Sequence, residues 1–332
     1  MEKAIIIIIL ITASLQTHSQ ELKGIVLDNN TKQPLSNVSV FFNGTTIGTI
    51  TDRQGNFRLD APADQKFPVA ISAIGYNSVL LTDYTSDKNL IVFLIPRIYE
   101  LDEVVVTSKR PFFERTSRNY NLSTFKRQFL GETVNAYNCR ILNESAIAFQ
   151  YDNDKLMLTA NASQPLIISN RSLGYSITFH LDFFKFTQTP YSLTYAGYYI
   201  FSEDSTLNLK EMERALKRRR LAYMGSRMHL MRSLWENNLD SSGFTIKNST
   251  SQSSVSYDNI VVWTDSSDKY LGPRGIYDIA YFSKIPSSTF EITEDSVFFN
   301  RLGYFDPFRI RWTGEMSRQR VADLLPFDYV LK

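Results

Sequence analysis

The chain has 332 residues, long enough for two folded units, and its 43% hydrophobic and 21% charged content is that of an ordinary globular protein, which excludes wholesale disorder. The 36 Lys and Arg nearly balance the 34 Asp and Glu, so no global charge draws the chain to nucleic acid or membrane, and any electrostatic partner has to be met locally. A single cysteine, Cys139, excludes an intramolecular disulfide, a Cys-rich zinc site and an iron–sulfur cluster.

The first predicted element is a leader. Glu2 and Lys3 precede the apolar run 4–11, which continues through Thr12, Ala13, Ser14 and Leu15 to Thr17, His18 and Ser19. A charged start, an apolar core of about a dozen residues and small residues before a cleavage point after Ser19 read as a secretory signal peptide over 1–19. The run falls short of the roughly 20 apolar residues that cross a bilayer. Further along, Asp, Lys or Arg interrupts each hydrophobic patch, so no transmembrane helix is expected in the mature chain.

Residues 22–94 alternate Val-, Ile- and Phe-rich runs with turn residues at short, even spacing, the pattern of an antiparallel β-sandwich. The spacing predicts strands at 24–27, 38–42, 57–59, 69–73 and 91–94. Asn43-Gly44 reads as a type I′ hairpin turn, and Asp52 with Gly55 reads as a capped reversal. The residues that carry this pattern are Gly24, Val26 and Asp28; Pro34, Leu35, Val38 and Val40; Gly44-Thr45; Gly48-Thr49, Thr51-Asp52, Gly55 and Phe57; and Ile74-Gly75-Tyr76. In order and spacing they resemble the carboxypeptidase regulatory-like domain, a seven-stranded transthyretin-like sandwich. That resemblance implies a non-catalytic accessory module over 20–96 and an exported protein of the Gram-negative envelope, periplasmic or associated with the outer membrane. Leu101, Asp102, Glu103 and Val104–Val106 resemble the connector that leads into TonB-dependent transporters, here a linker over 97–111. Only 223 residues follow Lys109, too few for a plug and a 22-stranded barrel.

Residues 112–332 are expected to form a separate α+β domain. A short helix is predicted at 122–131, with Phe125 and Phe129 one turn apart and Gly131 as its stop. A hairpin follows at 147–160, then strands at 165–169, 175–186 and 191–201, the last two long and aromatic. Between 207 and 239 the period lengthens to about 3.6, with Leu221, Met224, Met228, Met231 and Trp235 on one face and a break at Gly225-Ser226. Strands resume at 244, 259–263, 276–283 and 297–299. A short helix capped by Ser317 and stopped at Pro326 closes the chain.

Motifs for chemistry are scarce. His180 and His229 lack the His-x-x-Glu setting of a metallocarboxypeptidase, and no His-Glu-x-x-His, Gly-x-Ser-x-Gly or phosphate loop occurs. Cys139 reads as a small buried hydrophobe, and Asp152, Asp154, Asp265 and Asp268 as turn residues. No catalytic residue, metal or cofactor is expected. The outstanding charge feature is a run of eight basic against three acidic residues over 207–238, centred on Lys217, Arg218, Arg219 and Arg220. Four consecutive residues spread around a helix, so they cannot all face a core, and they are the candidate site for an anionic surface such as a lipid headgroup. Nucleic acid is not expected as a partner. The leading reading is a non-catalytic envelope protein that binds a protein, glycan or surface polymer. The alternatives are an envelope hydrolase, which a cleft with convergent ionisable groups favours, and a small outer-membrane β-barrel formed by the C-terminal part.

Overall fold

A computed structural model describes residues 20–61, 67–84, 89–97, 117–263, 268–283 and 285–331. The predicted leader and the 101–109 connector lie outside the described residues. Seven strands build the N-terminal sandwich: β1 (Gln20–Asp28), β2 (Ser39–Phe42), β3 (Gly48–Ile50), β4 (Asn56–Ala61), β5 (Val69–Ser72), β6 (Val79–Leu81) and β7 (Leu90–Leu94). They form two sheets, β4-β1-β7 and β3-β2-β5-β6, around Leu22, Val26, Val40, Phe42, Phe57 and Ile71. One pair departs from the antiparallel expectation: β7 runs parallel to β1, with Val26 opposite Val92. Asp52 caps its turn as predicted, its Oδ1 accepting from the Gln54 and Asn56 amides.

The rest of the chain gathers around two further cores. The first is built by α1 (Arg118–Leu130), α2 (Val134–Tyr137), β8 (Cys139–Ile141), β9 (Ile147–Asp152), β10 (Met157–Ala162), β11 (Leu166–Asn170), β12 (Tyr175–Thr187) and β13 (Ser192–Glu203). Central β12 pairs with β11 and β10 on one side and along its whole length with β13 on the other. Phe125 and Phe129 of α1 stack at 4.9 Å and seal the sheet, with Cys139 buried in the same core. Burial pushes the Cys139 thiol up to about 12. The predicted aromatic strand is core: Tyr195 and Tyr199 pack on this cluster and Phe201 is buried within it.

α3 (Leu209–Tyr223) and α4 (Arg227–Trp235) lead into the second core, which holds α5 (Tyr257–Ile260), β14 (Phe244–Asn248), β15 (Val261–Trp263), β16 (Lys269–Leu271), β17 (Gly275–Tyr281), β18 (Ser288–Ile292), β19 (Val297–Phe299) and β20 (Ile310–Gly314). Its sheets are β14-β17-β18-β20 and β15-β16-β19. The C-terminal strands thus divide among three sheets packed on interior apolar clusters, an arrangement unlike the one closed sheet of a membrane barrel. The predicted break lies at Gly225, with φ of 73°, and Ser226 caps α4 by accepting from the His229 amide. Because the axis turns there, the expected continuous apolar face divides: Met228 and Met231 are buried, whereas Leu221 and Met224 are exposed. The predicted closing helix is replaced by two 3-10 turns, Glu315–Arg318 and Val321–Asp323. There the Ser317 hydroxyl donates back to the Gly314 carbonyl instead of capping a helix.

The sandwich is fused to this body rather than hung from it. β2 and β5 are buried on both faces: Phe42 points into the sandwich, while Phe41, 1% exposed, stacks on the His180 ring of β12 at 5.4 Å. The predicted two-residue hairpin at Asn43-Gly44 is instead a longer loop committed to docking. Asn43 Oδ1 accepts from the Tyr199 amide, Gly44 N–H donates to the Tyr199 carbonyl, and Phe201 N–H donates to the Thr45 carbonyl. The Gly44 carbonyl accepts from the Phe327 amide, and Thr46 binds Asp328 through its amide and hydroxyl. Gly44 has φ of 77°, and a Cβ there would lie 2.7 Å from the Phe327 ring, so both conformation and space require glycine.

If Phe41 joins the two parts into one structure, Phe41→Ala opens a cavity at the interface and lowers stability by about 3–5 kcal/mol. Urea unfolding reads this as a lower midpoint at unchanged slope. A loss below about 1 kcal/mol, smaller than any buried aromatic truncation, would show instead that the interface contributes little.

Candidate functional site

Two regions collect polar groups that no core explains. The first is a cleft between the sandwich and the central sheet, walled by residues 72–78 and Arg97 on one side and by 162–165 and 180–182 on the other. At its floor the Ser72 hydroxyl lies 2.8 Å from His180 Nδ1 and 2.8 Å from the Ser78 hydroxyl, so the three groups form a relay. His180 Nε2 is buried and has no hydrogen-bond partner among the described residues. Burial holds the imidazole neutral, lowering its pKa to about 4. Asp182 is a β-bulge residue: β12–β13 pairing passes from Leu181 opposite Gly197 to Phe183 opposite Ala196, and the extra residue carries its carboxylate to the cleft. Burial raises the Asp182 pKa, and the nearby Arg97 charge opposes that rise. Gly197 permits the close pairing, because a Cβ there would sit 2.2 Å from the His180 carbonyl oxygen.

Sequence reasoning missed this site. His180 stood alone in an aromatic strand, and its partners Ser72 and Ser78 lie in another domain of the chain.

The second region is α3. Asn208 and Glu211 close a capping box at its start, and Ala215, Arg219 and Tyr223, spaced one turn apart, form its buried stripe. The four predicted site residues therefore separate. Arg219 is 4% exposed: its Nε donates to the Leu173 carbonyl at 2.6 Å, its two terminal nitrogens reach the Glu203 carboxylate at 3.0 and 2.7 Å, and its guanidinium lies 3.8 Å above the Tyr175 ring. Arg219 is thus an anchor and is not available to an external partner. Arg218 is half-buried and donates to the Ser172 hydroxyl at 3.2 Å. Lys217 and Arg220 are exposed, and Arg214 and Lys210, one and two turns before Lys217, share their outward face. Among the described residues, none of Lys210, Arg214, Lys217 and Arg220 makes an ion pair, and Glu213 is the one carboxylate on that face.

Among the described residues, no group of three or more His, Cys, Asp or Glu side chains is placed to hold an ion. Asp152 forms an Asx turn with the Asp154 and Lys155 amides, and Asp265 lies outside the described residues. No helix among the described residues is long and apolar enough to cross a membrane.

Comparison with known proteins agrees with the strand-and-turn reading. Residues 22–106 match the CarboxypepD_reg-like domain family, so the N-terminal sandwich is a module of that kind. The matched range begins within β1, takes in β2 to β7 and runs on to residue 106. No curated protein matches the chain.

The buried imidazoles make stability depend on pH with a definite sign. His180 and His229 have folded pKa values of about 4 against 6.5 when free, both because burial disfavours the charged ring. For each, the unfolded chain takes up a proton that the folded chain refuses, so stability is full above about pH 6.5 and declines as pH falls toward 4, by at most about 1.4 kcal/mol per unit and histidine. Asp182 and Asp323, whose carboxyls burial pushes up, flatten the decline at its acid end. Urea midpoints at pH 7.5 and 4.5 measure the drop, and His180→Gln removes part of it. Equal midpoints would refute the assignment of neutral buried rings.

Proposed function

We propose that the protein is an exported, non-catalytic component of a bacterial cell envelope that works by binding an anionic constituent of that envelope. The CarboxypepD_reg-like sandwich is a non-catalytic module, and its motif residues here are turn formers and core. The signal-peptide pattern of residues 1–19 and the exported setting of such sandwiches support the location. The observation that carries the binding reading is the outward face of α3. Lys210, Arg214, Lys217 and Arg220 stand there without ion pairs among the described residues, while the opposite face of the same helix is anchored through Arg219.

Cations in a fixed array attract polyanions at long range, and each surface charge contributes up to about 1 kcal/mol at low salt. Lys217→Glu with Arg220→Glu is therefore expected to weaken binding to a heparin or lipopolysaccharide matrix by at least about tenfold. Salt elution measures it. Elution at unchanged salt would remove α3 from the binding surface.

The hydrolase reading has one observation in its favour, the Ser78–Ser72–His180 relay in a cleft that also holds Asp182. It ranks second for physical reasons. An imidazole with a pKa of about 4 is a weak base at neutral pH, and no carboxylate orients its Nε2. Ser72 is itself buried. Under this reading a fluorophosphonate probe labels Ser72 or Ser78, and labelling disappears in His180→Gln. Absence of any adduct on the intact protein would sink it.

A further inference from the structure

Cations alone do not account for the outward face of α3. Leu209 is 87% exposed and Leu221 75% exposed, and Leu216 and Met224 are exposed beside them. At about 100° per residue, Leu209, Arg220, Met224, Lys217, Lys210, Leu221 and Arg214 fall in that order across one side of the helix, with the leucines among the cations. Glu213 is the one acid in the same sector. The opposite sector is closed by Ala215, Arg219 and Tyr223.

From this pattern we infer that α3 docks on the surface of an anionic phospholipid bilayer, lying parallel to it. The inference rests on the anionic-partner reading and names the partner. A soluble polyanion has a use for the cations but none for protruding leucines. A protein partner tends to exclude Lys from the middle of its interface, whereas here Lys210 and Lys217 are central. The bilayer interface accepts both chemistries at once. Leucine and methionine side chains enter the boundary between headgroups and acyl chains, while the long lysine and arginine stems carry their charges back to the phosphates. Charge complementarity chooses anionic over zwitterionic lipid, because four cations that make no ion pair among the described residues face outward, against one carboxylate of the helix, Glu213. The helix is ready for this without rearrangement. Its 15 residues are fixed by a capping box at one end and by the Arg219–Glu203 pair near the other. A contact of this size is weak and reversible, since only a few apolar side chains penetrate.

Co-sedimentation of the full-length chain with vesicles provides the test. Expected is pelleting with vesicles of phosphatidylcholine containing phosphatidylglycerol, and little with phosphatidylcholine alone. Leu209→Ser with Leu221→Ser leaves every charge in place and alters two solvent-facing positions, so the melting temperature and heparin retention stay unchanged while vesicle partitioning falls by about tenfold or more. Partitioning of this variant equal to that of the parent would overturn the inference and leave α3 as a polyanion site. Heparin retention without any vesicle binding by the parent would do the same. Loss of both heparin and vesicle binding in the parent protein would remove the anionic-partner reading as well.

Discussion

The structure depends on one contact surface, where the outer face of the β2–β5 sheet lies on β12 and β13. A sandwich sheet of an independent module has one face in the core and one in water. Here β5 and all of β2 but its first residue, Ser39, are buried, and the residue that makes the difference is Phe41, stacked on His180. Backbone bonds and the Asn43 and Ser72 side chains reinforce it. The loop after β2 pairs with Tyr199 and Phe201, so it occupies the exposed edge of β13 and leaves that part of the edge unavailable to another strand. The chain's end completes the joint, with Phe327 packed 6.0 Å from Phe67 of the sandwich core and its carbonyl held by Arg232. The regulatory-like module is therefore a wall of the body, and the cleft beside His180 exists because that wall is in place.

Much of the fold could be read in the sequence because its physical causes are local. Alternation placed most strands of the sandwich and of the central sheet, and Gly225-Ser226 divided α3 from α4 because a left-handed glycine followed by a capping serine ends one helix and begins the next. Local cues failed where a side chain serves a distant partner. Asn43-Gly44 has the composition of a tight hairpin, yet Asn43 spends its side chain on Tyr199, 156 residues away, and the turn opens. Leu221 and Met224 fit a helical apolar stripe, but the kink at Gly225 swings that stripe away from the core. Strands β18 and β20 went unread; each is short, and only their pairing with each other and with β17 defines them.

The basic run is an intermediate case. Helical geometry already requires that four consecutive cations diverge, so at least one must approach the body. Which one is decided by its neighbours at one turn: Ala215 and Tyr223 flank Arg219 on the buried stripe, and Arg219 goes inward. Its burial is tolerated because the guanidinium meets a carboxylate with two bonds, two carbonyls and an aromatic face. Lys269 is buried by a related solution, donating to the Trp235 carbonyl within a cage of Trp235, Trp263 and Tyr257. Buried cations in this protein are thus satisfied inside the fold. That distinguishes them from Lys210, Arg214, Lys217 and Arg220, which make no ion pair among the described residues.

Anchoring through Arg219 also determines what α3 can act upon. Glu203, which holds the guanidinium, is the last residue of β13, and Phe201, two residues earlier, receives the sandwich loop through Thr45. One strand therefore carries both the helix and the sandwich. Displacing α3 from its seat would pull Arg219 away from the Glu203 carboxylate, the Leu173 and Gly174 carbonyls and the Tyr175 ring together, so the seat resists movement of the helix relative to β13. The exposed leucines of α3 are thus held out from the body through Arg219 on the same strand that receives the sandwich loop.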